Sequence, residues 1–349
     1  MEKYGVFEEV EDEGQETVDP RWVVTRKEKS DGQKQKVKAR LVAKGFQEAE
    51  SPQSHSPTML RESMKLFFSV AANEDFQLRK IDIRAAFLQA NPLERDVYMR
   101  IPKDIRKDGM IWKLKKPLYG LNDASRKFWL RMKDIFKDIG LVKLSGDEAV
   151  YYKHSDQGKL EGMISTHVDD FDLAGTMEFV EMVAKEIERV LDVSTVESDS
   201  FRFTGIDVKK TETGIEISME DYAQSLEDIN IREAKADEKL TREELKIYRK
   251  YVGKLNWLAA NTRPDLAIYA LDMAKKQKKA VIKDLREINR VLKKVRERES
   301  KVVFSRIGNK EELCVIGVSD ASYHCSERSV AGEVILLRNL GSKKAAPIY

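Results

Sequence analysis

Short runs of alternating apolar and polar residues dominate this chain, interrupted by longer stripes at helical spacing. Trp22, Val23, Val24 and Thr25 read as one strand and residues 37–43 as a second, with Ser30, Asp31 and Gly32 as the turn between them. Residues 49–58, with two prolines and several serines, read as a loop. Over 60–73 the apolar positions Met64, Phe67, Phe68, Val70 and Ala71 recur on one side of a helix. Residues 78–83 then alternate, with Leu78, Lys80 and Asp82 on one face and Arg79, Ile81 and Ile83 on the other, before a short helix carrying Phe87. A hairpin of 97–101 and 111–114 follows, then a helix from 124 to about 139 with Asn122 or Asp123 as its cap.

The stretch 161–175, EGMISTHVDDFDLAG, organises the rest. Residues 163–168 favour a strand, and 171–174 form a second run stopped by Gly175. This predicts a β-hairpin with Asp169 and Asp170 at or beside its tip. Such a pair is commonly a solvated turn. Two adjacent carboxylates are also the kind of group that a divalent cation would screen. Beyond it, a helix is expected over 177–191, two strands joined at Thr213 and Gly214, and helices over 219–228, 241–260 and 264–280. Residues 282–298 put Ile282, Leu285, Ile288, Val291, Leu292 and Val295 on one face. Strands close the chain over 301–304, 313–319 and 330–338.

A chain of 349 residues suggests two or three domains. There is no run of eighteen apolar residues, so no membrane partner is expected, and the acidic N-terminal stretch MEKYGVFEEVEDEGQE lacks an apolar core, so no signal peptide is expected in it. An intracellular, cytoplasmic protein is the expectation. Two cysteines and four histidines form neither a disulfide framework nor a zinc pattern. The net charge of +3 hides strong clustering. Residues 1–20 are acidic, 26–44 are basic, and 275–301 hold twelve Lys or Arg against four acidic residues. Clustered cations of this sort fit a polyanionic partner.

Read in order, KARLVAKGFQE, IDIRAAFLQ, VYMRIP, KLKKPLYGL, HVDD and YVGKLNWLAANTRPDLA resemble the reverse transcriptase of copia-type LTR retrotransposons, from about Trp22 to the end of the chain. GVSDAS looks like the opening of the RNase H domain that follows in that family. The resemblance implies an α+β right-hand polymerase: an acidic segment over 1–20, fingers and palm over 21–218, thumb and connection helices over 219–300, and a partial RNase H-like domain over 301–349. It implies RNA-directed DNA polymerisation by two Mg²⁺ ions, with Mn²⁺ as a substitute. The partners would be a primed RNA or DNA template and dNTPs, and the setting the cytoplasm, including retrotransposon particles.

Carried over by position, Asp82, Asp169 and Asp170 match the catalytic, metal-binding carboxylates. Phe87 matches the aromatic residue that screens the incoming sugar, and Tyr119 with Gly120 the turn under the nascent base pair. Lys27, Lys38 and Arg40 match cations that meet the triphosphate. Phe203, Thr204 and Gly205 resemble the strand that grips the primer. Asp320 matches the first RNase H carboxylate, and no RNase H activity is expected from it alone. His167 stands where the family usually has Tyr, Asp123 and Ser125 where it has Gln and Pro, and Thr204 where it has Leu. Asp123 reads as a helix cap, and Asp172 as a solvated residue. The rival reading is a retroelement remnant that binds nucleic acid without polymerising, and a repair polymerase sharing the palm is a third.

Overall fold

Where the sequence alternates, the chain forms strands, mostly antiparallel, and where it carries a stripe it forms helices that cover them. The computed structural model describes residues 1–27, 36–48, 52–105, 107–322, 330–342 and 344–348. The expected turn at Ser30, Asp31 and Gly32 lies outside them. The chain divides into two compact units, Met1–Leu60 with Lys80–Val196, and Arg61–Arg79 with Glu197–Tyr349.

In the first unit a six-stranded sheet runs in the order Val193–Ser198, Gln77–Ile83, Asp170–Gly175, Leu160–His167, Asp147–His154, Val142–Leu144. Helices Ala124–Asp138 and Met177–Val190 bury their stripes against one core, where Phe128, Phe136, Phe171, Leu173, Val183 and Ile187 are closed to solvent. Thr176 caps the second helix by accepting from the Phe179 N–H at 3.2 Å. A four-stranded sheet lies beside a second core that includes Val6, Met99, Trp112 and Leu118.

That second sheet contains a strand absent from the sequence reading. Phe7–Glu11, inside the segment read only as acidic, pairs antiparallel with Met110–Leu114. Phe7 stacks on Trp112 at 4.0 Å, while Glu8 meets Lys115 at 2.6 Å and Glu9 meets Lys107 at 2.5 Å. The acidic run hid a strand without apolar alternation, two of whose glutamates pair with lysines.

The basic hairpin is Pro20–Lys27 paired with Lys36–Ala43. Its root is locked to residues 118–121 by backbone contact. Ala43 N–H donates to Tyr119 O at 2.7 Å. Gly120 has φ +95°, and a Cβ there would fall 2.0 Å from Ala43 O; one on Gly45 would fall 2.1 Å from Gly120 O. Only glycine lets these two backbones meet.

In the second unit helix Arg61–Asn73 packs against strands Gly214–Ser218 and Lys301–Ser305, so it belongs there rather than with the segment that follows it. Phe68 lies 6.2 Å from Phe304, and Asn73 Oδ1 accepts from the N–H groups of Ile307 and Gly308, both at 3.1 Å. The stretch read as two strands is three: Ser200–Phe203, Ile206–Thr211 and Gly214–Ser218. Left-handed Thr204 (φ +47°) and Gly205 (φ +85°) turn the chain between the first two. Helix Arg242–Asn261 begins in a capping box of Thr241 and Glu244, and Ile282–Glu297 buries the predicted stripe. Among the described residues no helix is long and apolar enough to cross a membrane.

The Gly120 contact gives a direct test. Gly120→Ala should cost at least about 2 kcal/mol, combining the left-handed penalty with the clash at Ala43 O. Gly109→Ala, at φ +71° with open space around it, should cost only the conformational part. Chemical denaturation of the two variants would show this difference, and equal losses would contradict it.

Candidate active site

The hairpin that carries the paired carboxylates closes in the tightest way available. His167 pairs with Asp170, leaving Val168 and Asp169 as a two-residue loop. Val168, expected at the end of a strand, has φ +60°, while Asp169 stays on the ordinary side. That sign pattern belongs to a type II′ turn, whose first position favours glycine. A β-branched side chain there costs about 1–2 kcal/mol. The turn places Asp169 at the tip and starts the returning strand at Asp170.

The neighbouring strand Gln77–Ile83 brings the third carboxylate. Ile83 N–H donates to Asp169 O at 3.1 Å, which sets Asp82, one residue earlier, beside the tip. Asp82 is not a helix cap: the short Ala86–Gln89 turn follows Ala85 and has no side-chain cap. Burial pushes the Asp169 carboxyl above its ordinary range, the negative charges of Asp170 and Asp82 push it further, and Lys38 opposes them. Asp170 is held at 3.2 Å by Lys80, which shares the face of Asp82 on its strand. Among the described residues no group of three or more His, Cys, Asp or Glu side chains is placed so as to hold a metal ion as it stands.

Within electrostatic reach of the carboxylates lies an aromatic and cationic group. The rings of Phe87 and Tyr119 are 4.8 Å apart, and the Arg40 guanidinium sits 5.9 Å from the Tyr119 ring. Burial raises the Tyr119 hydroxyl, Asp169 and Asp82 add to this, and Arg40 opposes it. Lys38 is two residues before Arg40, on the same face of the hairpin. The strand pairs Lys27 with Lys36, and the side chain of Lys27 lies outside the described residues. Gly120 makes the backbone contact described above. The fold thus gathers Asp82, Asp169, Asp170, Phe87, Tyr119, Gly120, Lys38 and Arg40 in the first unit.

Phe203, Thr204, Gly205 and Asp320 belong to the second unit. Phe203 is buried, Thr204 and Gly205 form the tight turn, and Asp320 is exposed on its strand opposite Gly332.

Two readings of acidic residues need correction. Asp123 stands at the start of helix Ala124–Asp138 but makes no cap hydrogen bond. Its buried carboxylate instead meets Arg95 at 3.0 Å, and the same guanidinium binds Glu48. Glu48 also accepts from the Asn122 N–H at 2.9 Å. Two buried carboxylates sharing one arginine make Arg95 costly to remove, at about 3–5 kcal/mol. Sequence reasoning missed Arg95 and the pairing of Lys80 with Asp170, because ion pairs between distant segments leave no local signal.

Asp172 is not solvated. It is fully buried, and neither carboxylate oxygen has a hydrogen-bond partner; Ser165, directly across the ladder, has a buried hydroxyl without one. Burial pushes the Asp172 carboxyl well above the usual range, with Lys80 opposing and Asp170 adding. The folded chain therefore holds this proton more tightly than the unfolded chain, which releases it near pH 4, and the Asp172 contribution to stability falls as pH rises above about 4. Asp172→Asn removes this dependence. It should melt several degrees above the parent at neutral pH, and the gap should close on acidification toward about pH 4. Thermal melts across that range would test it, and a gap independent of pH would contradict it.

Residues 4–242 match the protein family described as reverse transcriptase (RNA-dependent DNA polymerase). The chain is 28% identical over 326 residues to the retrovirus-related Pol polyprotein from transposon RE1 of Arabidopsis thaliana, an alignment covering 87% of this chain and 22% of that protein. It spans about a fifth of the length of the first Pol polyproteins it matches. In fold it is similar to the foamy viral protease-reverse transcriptase in complex with double-stranded DNA (TM-score 0.59, 14% identity, 99% of this chain and 52% of that one). It is also similar to the same protein in complex with an RNA/DNA hybrid (TM-score 0.50, 15% identity, 98% and 40%). The strained Asp-Asp hairpin, its partner strand and these likenesses agree: the chain belongs to the reverse transcriptase family, of the copia type found in transposon Pol polyproteins.

Proposed function

We infer that this chain is an RNA-directed DNA polymerase, moving a nucleotidyl group from a dNTP to a primer 3′-hydroxyl with loss of pyrophosphate. The observation that carries this is the convergence of Asp82, Asp169 and Asp170 near Phe87, Tyr119 and Arg40. In this reading the Pro20–Lys27 and Lys36–Ala43 hairpin is the fingers, the six-stranded sheet and its helices the palm, and the helices over 242–297 the thumb. The sheet over 313–347 is the start of an RNase H-like domain. A cytoplasmic setting, within retroelement particles, goes with it.

The carboxylates suit magnesium, since they offer hard oxygen donors in a crowded group whose mutual repulsion a divalent cation would relieve. Asp82, Asp169 and Asp170 would hold two such ions, which supply charge stabilisation for the attacking and departing oxygens. The other residues bind and orient. Lys38 and Arg40 attract the triphosphate. Phe87, backed by Tyr119, forms an apolar floor for the sugar. Lys80 fixes the Asp170 carboxylate, and a nucleic-acid duplex would be held through its phosphates.

Helix Arg242–Asn261 adds a surface that the sequence reading missed. Its exposed face carries Lys246, Arg249, Lys250, Gly253, Asn256 and Trp257 at helical spacing. Trp257 is 40% exposed, and a Cβ on Gly253 would touch nothing in the protein. A mid-helix glycine costs about 1 kcal/mol relative to alanine. No internal contact requires it here, so an outside partner approaching closely accounts for it, and a cationic face with one aromatic fits a nucleic-acid groove.

Two measurements test this reading. On poly(rA)/oligo(dT) with dTTP and Mg²⁺, the parent should extend the primer and Asp169→Asn should not. Salt-sensitive binding without incorporation by a folded parent would sink the polymerase. Gly253→Ala should raise thermal stability slightly yet weaken duplex binding several-fold, whereas unchanged duplex affinity would remove that helix face from the account.

A further inference from the structure

The most exposed of the large apolar side chains among the described residues is Phe46, at 82%. A phenyl group left in water forgoes the stabilisation of burial, so its position asks for a reason. It does not sit on a loosely tethered loop. Phe46 is the middle residue of a short 3₁₀ turn, Gly45–Gln47, that is tied down on both sides. On one side Lys44 N–H donates to Asp19 O at 3.0 Å, Asp19 N–H donates to Gln47 Oε1 at 2.8 Å, and Lys44 Nζ meets Asp19 Oδ2 at 3.2 Å. On the other, Asn122 Nδ2 donates to Gly45 O at 3.1 Å, and Gly45 lies against the Gly120 backbone. Every neighbour in the turn is used to fix the backbone, while Phe46 makes no ring contact among the described residues. The result is a solvent-facing ring on a fixed backbone, three residues past Ala43, whose N–H is bonded to the turn that carries Tyr119.

We propose that Phe46 is a stacking platform for an unpaired template base just ahead of the nucleotide site. This rests on the polymerase reading. The flat occupant follows from the flat, solvent-facing ring on a fixed turn, and its nucleic-acid character from the Lys38 and Arg40 face of the same hairpin. Bases within a duplex already stack on their neighbours, so the single-stranded template overhang is the part of a polymerase substrate that offers a free π-face. Stacking of this kind tolerates any base, as a copying enzyme requires.

The test uses the full chain and one primer–template duplex in two forms, blunt and with a short 5′ template overhang carrying 2-aminopurine. The parent should bind the overhang form more tightly and alter its fluorescence. Phe46→Ala should lose about five- to hundred-fold in affinity for the overhang form only. Phe46→Trp should retain both effects, and Phe46→Leu, apolar but without a π-face, should resemble Phe46→Ala. Equal binding of the two forms by the parent overturns the proposal. So does Phe46→Leu behaving as the parent, or Phe46→Ala weakening both forms alike; all three leave the polymerase reading standing. A folded parent that binds neither form overturns the polymerase reading, and the proposal with it.

Discussion

Carboxylates repel one another, and a fold that gathers Asp82, Asp169 and Asp170 has to hold them together with interactions made elsewhere. The backbone bond from Ile83 N–H to Asp169 O does part of this, because it fixes the relation of the two strands whatever the side-chain charges do. The ladder of Leu160–His167 and Asp170–Gly175 does the rest, forcing a two-residue turn through Val168. Beneath it the apolar side chains Phe171 and Leu173 are buried against the helices, so the turn's strain is offset by the packing of the same strand.

Charge compensation follows a graded pattern around this centre. Asp170 is partly exposed and has Lys80; Asp123 and Glu48 are buried and share Arg95. Asp172 is fully enclosed and has no hydrogen-bonded partner, so burial favours its neutral, protonated form. The acidic character of the region is thereby confined to the carboxylates at the hairpin tip.

The aromatic and cationic side of the site depends on a different constraint, the meeting of two backbones. Ala43, Gly45 and Gly120 approach so closely that no side chain fits between them. That contact carries Arg40 to Tyr119, and it also fixes the turn that displays Phe46. A long, charged hairpin with little core of its own is aimed by its root.

Much of this was legible in the sequence, because it rests on local rules. The hairpin around Asp169 and Asp170, the alternation that puts Lys80 and Asp82 on one face, and the stripe of Ile282, Leu285 and Ile288 are repeating patterns that any environment would read alike. The order of six short motifs identified the family. What stayed hidden depended on partners far along the chain. Phe7–Glu11 became a strand because Met110–Leu114 offered an edge and matching charges. Asp123 left the helix cap because Arg95 stood within reach, and Asp172 was enclosed because its strand runs inside a sheet. Local pattern sets which face of an element a residue occupies; only the tertiary structure decides what covers that face, and burial and charge depend on the cover.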